Sequence, residues 1–295
     1  MKRLLVTGAG GMTGSEVSER ANASGWKVRP LTRGDLDITD AGAVDDALTE
    51  FHPHVVVNCA AYTAVDKAES EPELAEAVNA GGARNVARAA AKVDAPIIHV
   101  STDYVFDGRA RDPYQVDSST APIGVYGRTK LAAETAVMEE NPAPTIVRTS
   151  WVFSHRGGNF VRTMLRLGAE KPELRVVNDQ RGRPTSAADL GAALITVADA
   201  LFENRNFYGL YHFANEGDTT WFDFAQAIFE EARARGSSLS PQIVPIPTSE
   251  FPTAAKRPAY SVLDTSSFTD RFKLSPRPWR SALRDTIMHS LAFPE

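Results

Sequence analysis

Tyr126 and Lys130 have the residue types and the spacing of an acid–base pair. Two residues four apart lie on the same face of a helix, about one turn from each other. A lysine ammonium beside the phenol would stabilise the phenolate and lower the tyrosine pKa from about 10 toward the working pH. We therefore expect Tyr126 to act as a general acid or base with Lys130 as its partner. With 7 tyrosines in the chain the spacing can arise by chance, so its context must support it.

A glycine-rich stretch near the start of the chain has the pattern of a phosphate-binding loop. Gly8, Gly11 and Gly14 form G-x-x-G-x-x-G directly after a short apolar run and at the start of a helical pattern. Glycines allow a tight turn and a close approach of the backbone to a pyrophosphate, while the helix N-terminus offers free N–H groups. We expect a dinucleotide here, with contacts from Gly8, Gly10, Gly11, Met12 and Gly14.

The residues after the second and third expected strands complete the cofactor prediction. Arg33 stands where an acid would bind the ribose hydroxyls of NAD, and an arginine instead suits the 2′-phosphate of NADP. Nearby acids, Asp37 among them, weaken this preference, so NADPH is predicted and NADH stays open. The contacts expected from these two segments are Arg33, Asp37, Ile38, Ala60, Ala61 and Tyr62.

A hydroxyl and a carboxyl follow the fourth expected strand, at Thr102 and Asp103. Because ligands lie at the carboxyl ends of parallel strands, Thr102 can hydrogen-bond a substrate carbonyl held above a nicotinamide. Strand-end turns also favour Ser, Thr and Asp, so the pattern alone leaves both interpretations open. Asn79 either bridges backbone groups near Lys130 or lies on a helix surface.

Short apolar runs alternate with alanine-rich helical stretches through the first half of the chain. The expected strands are Arg3–Thr7, Lys27–Leu31, His54–Asn58, Pro96–Ser101 and Pro144–Arg148. The expected helices are Met12–Ala23, Ala41–Phe51, Pro72–Lys92 and Tyr126–Glu140. Continuous apolar strands separated by helices predict an α/β fold with a Rossmann-like, doubly wound parallel sheet that is covered on both faces.

The second half of the chain predicts a smaller C-terminal substrate-binding region. The expected helices are Asn159–Gly168, Ser186–Phe202, Trp221–Arg235 and Arg280–Leu291, and the expected strands are Leu174–Asn178, Leu210–Phe213 and Gln242–Pro245. We expect residues 1–149 to form a dinucleotide-binding domain and residues 150–295 to be mostly substrate-binding. Segments near 174–178 and 186–213 are expected to return to the first domain.

Composition narrows the class of protein further. The formal net charge is −5 and no basic stripe occurs, so nucleic acid is not expected as a partner. No apolar stretch approaches the roughly 18 residues of a membrane span, so no membrane association is expected and the cytoplasm is the predicted location. The single cysteine, Cys59, rules out an internal disulfide and is expected to be a small buried residue.

With a hydroxyl, a tyrosine and a lysine in this order, the chain resembles an extended short-chain dehydrogenase/reductase, and within that family the sugar-nucleotide 4-ketoreductases. The stretches that carry the resemblance are spread in order over most of the chain. They are Thr63-Ala64-Val65-Asp66-Lys67-Ala68-Glu69, Ser101-Thr102-Asp103-Tyr104-Val105-Phe106-Asp107-Gly108, Tyr126-Gly127-Arg128-Thr129-Lys130-Leu131, Arg148-Thr149-Ser150-Trp151-Val152-Phe153, Asn178-Asp179-Gln180-Arg181-Gly182 and Arg257-Pro258.

The resemblance implies reduction of the 4-keto group of a dTDP-6-deoxy-L-hexulose to give dTDP-L-rhamnose or a closely related dTDP-deoxysugar. In that scheme Tyr126 protonates the developing alkoxide, and Lys130 binds the nicotinamide ribose and lowers the tyrosine pKa. Thr102 hydrogen-bonds the carbonyl oxygen, and Trp151 lies against the sugar. Arg181 and Arg257 are candidates for binding the diphosphate, because arginine suits bidentate phosphate recognition. The implied substrate contacts are Val65, Thr102, Asp103, Tyr126, Trp151, Asn159, Arg181 and Arg257.

The resemblance leaves assembly and metal binding open. Some family members dimerise through a metal held by carboxylates, and Glu16 and Asp189 fall in comparable regions. Two surface acids are weak grounds for a site, so no metal ligand is predicted. A requirement for Mg²⁺ and a homodimer both stay open.

Three other functions compete with carbonyl reduction. A sugar-nucleotide 4,6-dehydratase needs Asp and then Glu after the threonine, and Tyr104 stands where that glutamate would be, which disfavours dehydration. A 4-epimerase of the same fold, which keeps its cofactor bound and recycles it, stays open. So does a non-catalytic nucleotide-binding regulatory subunit, because a fold does not fix a function. The product, its C4 stereochemistry and its pathway are not determined by the sequence.

Overall fold

The computed structural model describes residues 1–292, and the side chains of residues 1–290. The strands in this range are β1 (Arg3–Thr7), β2 (Lys27–Leu31), β3 (Val55–Asn58), β4 (Ile97–Thr102), β5 (Pro144–Thr149), β6 (Val152–Phe153), β7 (Glu173–Val177), β8 (Arg181–Gly182), β9 (Thr185–Ser186), β10 (Gly209–His212), β11 (Thr219–Thr220) and β12 (Gln242–Ile246).

The helices cover the sheet and build most of the second half. The α-helices are α1 (Met12–Ala23), α2 (Ala41–Phe51), α3 (Val65–Ala68), α4 (Pro72–Glu76), α5 (Ala83–Lys92), α6 (Val125–Glu140), α7 (Phe160–Glu170), α8 (Ala187–Glu203), α9 (Trp221–Arg233), α10 (Ser266–Phe272) and α11 (Trp279–Ala292). A π-helical segment spans Ala77–Gly82, and short 3₁₀ turns span Asp103–Val105, Arg205–Phe207 and Thr248–Glu250. No helix within residues 1–292 is long and apolar enough to cross a membrane.

A parallel sheet with strand order β10-β5-β4-β3-β1-β2 is the centre of the fold. Its inner strands are apolar on both faces because each face packs against helices. Leu4 and Val6 of β1 point to a core shared with α1 and α8. Leu5, between them, points to the opposite core, which α2, α5 and α6 complete. The α/β, doubly wound arrangement predicted from the sequence is therefore confirmed.

One predicted helix is interrupted. The stretch Pro72–Lys92 was expected to be continuous, but the π-helical segment Ala77–Gly82 separates α4 from α5. A π-helical segment often accompanies a functional site. Here it holds the Asn79 side chain under the neighbouring loop, and it brings Gly82 against Ile38, where a Cβ would come within 2.5 Å of Ile38 Cδ1.

The second half has a core of its own among α7, α9, α11 and β7. The expectation that the segment near 174–178 returns to the first domain is wrong. β7 pairs in parallel with β12, and its alternate residues Leu174 and Val176 pack against the aromatic face of α9. The segment near 186–213, in contrast, does contact the first domain. Helix α8 packs on α1, and β10 pairs with β5 at one edge of the six-stranded sheet.

Candidate active site

A cavity of about 840 Å³ opens above the carboxyl ends of β1, β3 and β4. This is the edge at which ligands bind in open parallel sheets. Most of the residues predicted from the sequence line it together: Gly8, Gly10, Gly11, Met12, Gly14, Arg33, Asp37, Ile38, Ala60, Ala61, Tyr62, Val65, Thr102, Asp103, Tyr126, Lys130 and Trp151.

The glycine loop packs against itself and against the loop after β3 too tightly for side chains. Gly8 has φ +66°, and a Cβ there would come within 2.6 Å of the backbone nitrogen of Ala60. A Cβ on Gly14 would collide with the carbonyl oxygen of Gly8. Gly11 begins α1 without a side-chain cap, so the first N–H groups of that helix have no side-chain acceptor. The loop therefore fits a phosphate group, which those N–H groups and the helix dipole would bind.

In the loop after β2, the two acidic side chains are hydrogen-bonded within the loop, whereas Arg33 is exposed. Asp35 accepts hydrogen bonds from the N–H and hydroxyl of Thr32, which lower its pKa. Asp37 is bound in the same way by Thr39, and its pKa is lowered too. Arg33 is exposed at the cavity and forms no ion pair within 4 Å in the described part of the chain. Both carboxylates are ionised but hydrogen-bonded within their own loop, which leaves the Arg33 guanidinium as the exposed cation at this part of the cavity.

Helix α6 is held so that Tyr126 lies in its first turn. Glu69 accepts a hydrogen bond of 2.8 Å from the N–H of Val125, which caps a helix start that has no cap of its own. Gly127 packs on the Tyr104 carbonyl so closely that a Cβ would collide with it. The Tyr104 ring also meets the Tyr126 ring edge to face, with centroids 5.5 Å apart. These contacts fix Tyr126 at the end of β4.

Thr102 and Asp103 meet Tyr126 at the floor of the cavity. Thr102 Oγ1 donates to Asp103 Oδ1 at 3.0 Å and accepts the Tyr104 N–H at 3.2 Å. Burial raises the pKa of Asp103 to about 6, although contacts with Ser261 and Thr102 oppose the rise. Burial likewise raises the pKa of Tyr126 to about 12, while a hydrogen bond with Thr102 lowers it and Asp103 raises it. Tyr126 therefore holds its proton at neutral pH.

The expected lowering of the Tyr126 pKa by Lys130 is wrong for this structure. Lys130 Nζ donates to the Val100 carbonyl at 2.6 Å and contacts His99 Nε2 at 3.1 Å. The ammonium is thus turned toward β4 rather than toward the phenol. Burial lowers the pKa of Lys130 to about 8, against the attraction of Glu134. Beside it, burial raises the pKa of the half-buried Cys59 thiol to about 12, so that thiol is not reactive.

Asn79 bridges the π-helical segment, the loop after β3 and α6. Its Oδ1 accepts from the Tyr62 N–H at 2.8 Å, and its Nδ2 donates to the Tyr62 carbonyl at 3.2 Å. The same Nδ2 donates to Thr129 Oγ1 at 2.9 Å, on the helix turn between Tyr126 and Lys130. Of the two interpretations left open by the sequence, the bridge is the observed one.

An aromatic pair forms the opposite wall. Trp151 has φ +47°, an unusual backbone for a bulky residue, and its ring stacks on Trp221 with centroids 3.6 Å apart and planes 6° apart. Trp221 Nε1 donates to Gln180 Oε1 at 3.1 Å. Gly182 lies close to the indole of Trp151, where a Cβ would come within 2.5 Å of Cε2. Trp221 also lines the cavity. The sequence did not predict this, because Trp221 is 70 positions from Trp151 and no local pattern connects the two residues.

His99 is the second residue that the sequence predictions missed. It lies in the apolar run of β4, is almost completely buried, and contacts both Lys130 and Asn58. A histidine inside a buried strand was the signal that could have identified it. Burial and the neighbouring Lys130 hold the pKa of His99 well below its usual range, so the imidazole is neutral.

Three predicted substrate contacts lie outside the cavity lining. Asn159 caps α7, accepting from the Arg162 N–H at 3.3 Å and donating to the Ser154 carbonyl at 2.8 Å. Arg181 forms an exposed ion pair with Asp218, and Arg257 forms one of 2.7 Å with Asp66. The structure gives each of these side chains a partner within the protein, which the sequence pattern could not show.

The two acids considered for a metal have other partners. Both oxygens of Asp189 accept from Arg277 Nε at 2.9 Å, and Glu16 contacts Arg20 at 3.4 Å. Within the residues that the structure describes, no group of three or more His, Cys, Asp or Glu side chains is placed to hold a metal ion. Asp189 is therefore part of an ion pair that joins α8 to the segment before α11.

Comparison with known proteins gives a consistent result. A family model described as RmlD substrate binding domain matches residues 1–291. The dTDP-4-dehydrorhamnose reductase of Aggregatibacter actinomycetemcomitans is 41% identical over 288 residues, covering 97% of this chain and 98% of that protein. The Mycolicibacterium smegmatis protein of the same name is 45% identical over 292 residues, covering 97% of this chain and 85% of the other.

A solved structure extends the similarity to the fold. The dTDP-4-dehydrorhamnose reductase of Bacillus anthracis, in complex with NADP, matches with a TM-score of 0.91 at 39% identity. The match covers 98% of this chain and 100% of that one. The similarity therefore includes both the sheet and the smaller region beyond it.

Proposed function

The chain belongs to the RmlD substrate binding domain family, and from this membership we propose that it is an NAD(P)H-dependent sugar-nucleotide 4-ketoreductase. Its reaction is reduction of the 4-keto group of a dTDP-6-deoxy-L-hexulose, giving dTDP-L-rhamnose or a closely related dTDP-deoxysugar. The observation that carries the proposal is the meeting of Thr102, Tyr126 and Lys130 on one cavity with the glycine loop.

The residues present fit a nicotinamide dinucleotide. The tight backbone turn that Gly8 and Gly14 allow and the uncapped start of α1 suit its pyrophosphate. When bound, the reduced nicotinamide supplies the hydride that the carbonyl carbon accepts. We propose NADPH as the preferred form, because Arg33 is exposed while the nearby Asp35 and Asp37 are bound by their own loop.

Tyr126 would supply the proton that completes the alcohol. Hydride addition leaves negative charge on the carbonyl oxygen, and a phenol with a pKa of about 12 is protonated at the start and can donate to that far more basic alkoxide. The Thr102 hydroxyl lies next to Tyr126 at the strand end and would donate to the same oxygen after turning its hydrogen away from Asp103 Oδ1. Donors that converge on this oxygen stabilise the transition state more than the ketone.

The sugar would lie between the catalytic floor and the aromatic wall. Val65, Asp103 and Trp151 line the cavity beyond Thr102 and are the proposed substrate contacts. The stacked indole of Trp151 offers a flat apolar surface for the deoxy face of the sugar. The buried Asp103 is suited to a sugar hydroxyl, which would donate to its carboxylate.

A turnover assay with product analysis tests the proposal. The purified protein is mixed with enzymatically generated dTDP-4-keto-6-deoxy-L-hexulose and either NADPH or NADH. NADPH oxidation is followed, and the product is identified by NMR. We expect oxidation that depends on the sugar nucleotide, one 4-hydroxyl in the product, and a higher kcat/KM with NADPH.

Other outcomes identify the competing functions. A 4-epimerase would change the sugar without net oxidation of NADPH, and a regulatory subunit would bind nucleotide without turnover. Comparable kcat/KM values for the two cofactors would contradict the assigned role of Arg33 while leaving the reductase proposal intact.

A further inference from the structure

A row of buried polar side chains crosses the sheet beneath the cavity and ends at Lys130. Thr7, Asn58 and His99 are neighbours in register on β1, β3 and β4. Thr7 Oγ1 donates to Asn58 Oδ1 at 2.6 Å, Asn58 Nδ2 contacts His99 Nδ1 at 3.1 Å, and His99 Nε2 contacts Lys130 Nζ at 3.1 Å. Each of the four side chains is at most 2% exposed. Buried polar rows of this kind need a consistent direction for every hydrogen bond.

A backbone group fixes the direction of this row. The Ala60 N–H points at Asn58 Oδ1 at 3.2 Å. A backbone N–H can only donate, so the atom that it meets must be the amide oxygen of Asn58. The other end of that amide is then the NH₂ group, and it donates to His99 Nδ1. His99 Nδ1 is therefore an acceptor, and the neutral imidazole carries its hydrogen on Nε2.

This tautomer places an N–H opposite the lysine nitrogen. A lysine ammonium has three hydrogens and no lone pair, so it cannot accept from Nε2–H. A neutral amine has two hydrogens and one lone pair. It can donate to the Val100 carbonyl, direct its second hydrogen to the cavity, and accept from His99 with the lone pair. The row thus satisfies every donor only when Lys130 is an amine.

We infer that His99, held in its Nε2–H tautomer by Asn58, donates to Lys130 and stabilises the amine form that Lys130 takes when it releases a proton during turnover. This inference rests on the proposed function for its place in the reaction. Tyr126 gives one proton to the product alcohol and must regain one, and Lys130 is the buried acid on the same helix face. The proton leaves the Lys130 ammonium and reaches the phenolate through water in the cavity, since Lys130 Nζ itself faces β4, and solvent restores it before the next turnover.

The groups around Lys130 differ in whether they favour its ammonium form or its amine form. Glu134, on the same helix, attracts the ammonium, but both of its oxygens already accept from Arg148 on β5. The Cys59 thiol beside β3 stays protonated at neutral pH. Tyr126, one helical turn away, is also neutral before the reaction. His99 on β4 is then the neighbour whose hydrogen-bond direction decides which form of Lys130 is favoured.

The tautomer and the lysine titration can both be measured by NMR without substrate or cofactor. In protein with ¹⁵N-labelled histidine, we expect the His99 signals to show hydrogen on Nε2, with His99→Gln used to assign them. In protein with ¹³C-labelled lysine, the Lys130 side-chain signal gives its titration midpoint. A wild-type His99 with its hydrogen on Nδ1 would overturn the inference.

Asn58→Asp should reverse the hydrogen bond between position 58 and His99. A carboxylate can only accept, so His99 Nδ1 must carry the hydrogen and donate it to the new side chain. The lone pair of Nε2 then faces Lys130 and stabilises the ammonium. We expect the His99 hydrogen to move to Nδ1 and the Lys130 midpoint to rise by about one pH unit. A raised midpoint without the tautomer change would be a charge effect alone and would contradict the inference, as would an unchanged midpoint.

Thr7→Val is the matched control. It removes a hydroxyl from the same row and keeps the Ala60 N–H that fixes Asn58, so the tautomer and the Lys130 midpoint should stay as in the wild type. The pH dependence of kcat gives the kinetic test, and its basic limb should move with the Lys130 midpoint in Asn58→Asp. Because the NMR readouts need no turnover, they separate a failure of this inference from a failure of the proposed reaction.

Discussion

The two walls of the cavity are built from different interactions. The cofactor wall, formed by the glycine loop, the ends of β1 and β3 and the loop Ala60–Tyr62, is held by backbone packing and buried hydrogen bonds. The substrate wall, formed by Trp151, Trp221 and β8, is held by ring stacking, a two-stranded sheet and exposed ion pairs. Backbone contacts tolerate almost no added volume, whereas exposed ion pairs contribute little to stability.

The two kinds of interaction suit the two ligands that the walls are proposed to bind. A dinucleotide presents the same phosphates in every enzyme that uses it, so a rigid backbone cradle suits it. A sugar nucleotide is selected by shape and by a few polar contacts, which side chains can supply. We therefore expect substitutions on the cofactor wall to change cofactor affinity sharply, and substitutions on the substrate wall to change substrate KM by smaller factors.

Tyr126→Phe, at the junction of the two walls, should have the largest effect. The variant loses the proton donor, so kcat should fall by about 10²–10⁴-fold while KM changes little. Steady-state kinetics with NADPH measure this. Tyr211→Phe is the matched control, because Tyr211 is a buried tyrosine whose hydroxyl binds the Phe207 carbonyl outside the cavity. An unchanged kcat in Tyr126→Phe would remove Tyr126 from the proton transfer.

Asp103→Asn should stabilise the fold while weakening substrate binding. The pKa of Asp103 is raised from 3.8 to about 6, so ionising it destabilises the folded state. This destabilisation is absent below about pH 4, where Asp103 is protonated in both states, and is complete above about pH 6. At pH 7 the variant should gain up to roughly 3 kcal/mol in free energy of unfolding.

Urea denaturation between pH 4 and pH 8 checks this gain. The difference between Asp103→Asn and the wild type should grow through pH 4–6 and then stay constant. Substrate KM should rise in the variant, because an amide is a weaker acceptor for a sugar hydroxyl. A difference in stability that does not depend on pH would show that Asp103 ionises as readily in the folded protein as in the unfolded chain.

Gly14→Ala tests the rigidity of the cofactor wall. The added Cβ collides with the Gly8 carbonyl, so the loop must move and its N–H groups lose their alignment. NADPH affinity, measured by fluorescence titration, should fall roughly 10- to 100-fold. Gly158→Ala is the control, since nothing lies within 4 Å of a Cβ there, and its affinity should match the wild type. If Gly14→Ala binds NADPH as tightly as the wild type, the cofactor wall can adjust its backbone as readily as the substrate wall adjusts its side chains.

Gly182→Ala makes the corresponding test on the substrate wall. Its Cβ would press on the Trp151 indole, which is already stacked against Trp221. Because a side chain can rotate where a backbone cannot, substrate KM should rise only about 3- to 10-fold. NADPH affinity should be unchanged. A loss of NADPH affinity equal to that of Gly14→Ala would mean that the two walls move as one unit.

The two walls also differ in how many of their residues could be predicted from local sequence patterns. The glycine loop, Thr102 and the Tyr126–Lys130 spacing are local patterns, because each depends on one strand end or one helix turn, and the structure gathers them on one cavity. Trp221 stacks on Trp151 from 70 positions away, which no local pattern reports. His99 was missed for a similar reason, since its hydrogen-bonding partners come from β3 and α6.

Arg181 gives the smallest expected effect and the sharpest test of the sequence prediction. The sequence made it a candidate for the diphosphate, whereas the structure pairs it with Asp218 at the surface, with both side chains more than one third exposed. Such a pair contributes about 0–1 kcal/mol, so Arg181→Ala should change the free energy of unfolding by about 0.5 kcal/mol and substrate KM by less than about twofold. Arg175→Ala, which breaks the comparably exposed pair with Glu250, is the control. A tenfold rise in KM for Arg181→Ala alone would mean that the guanidinium leaves Asp218 for the diphosphate, and that the substrate wall binds through a charge that is otherwise paired outside the cavity.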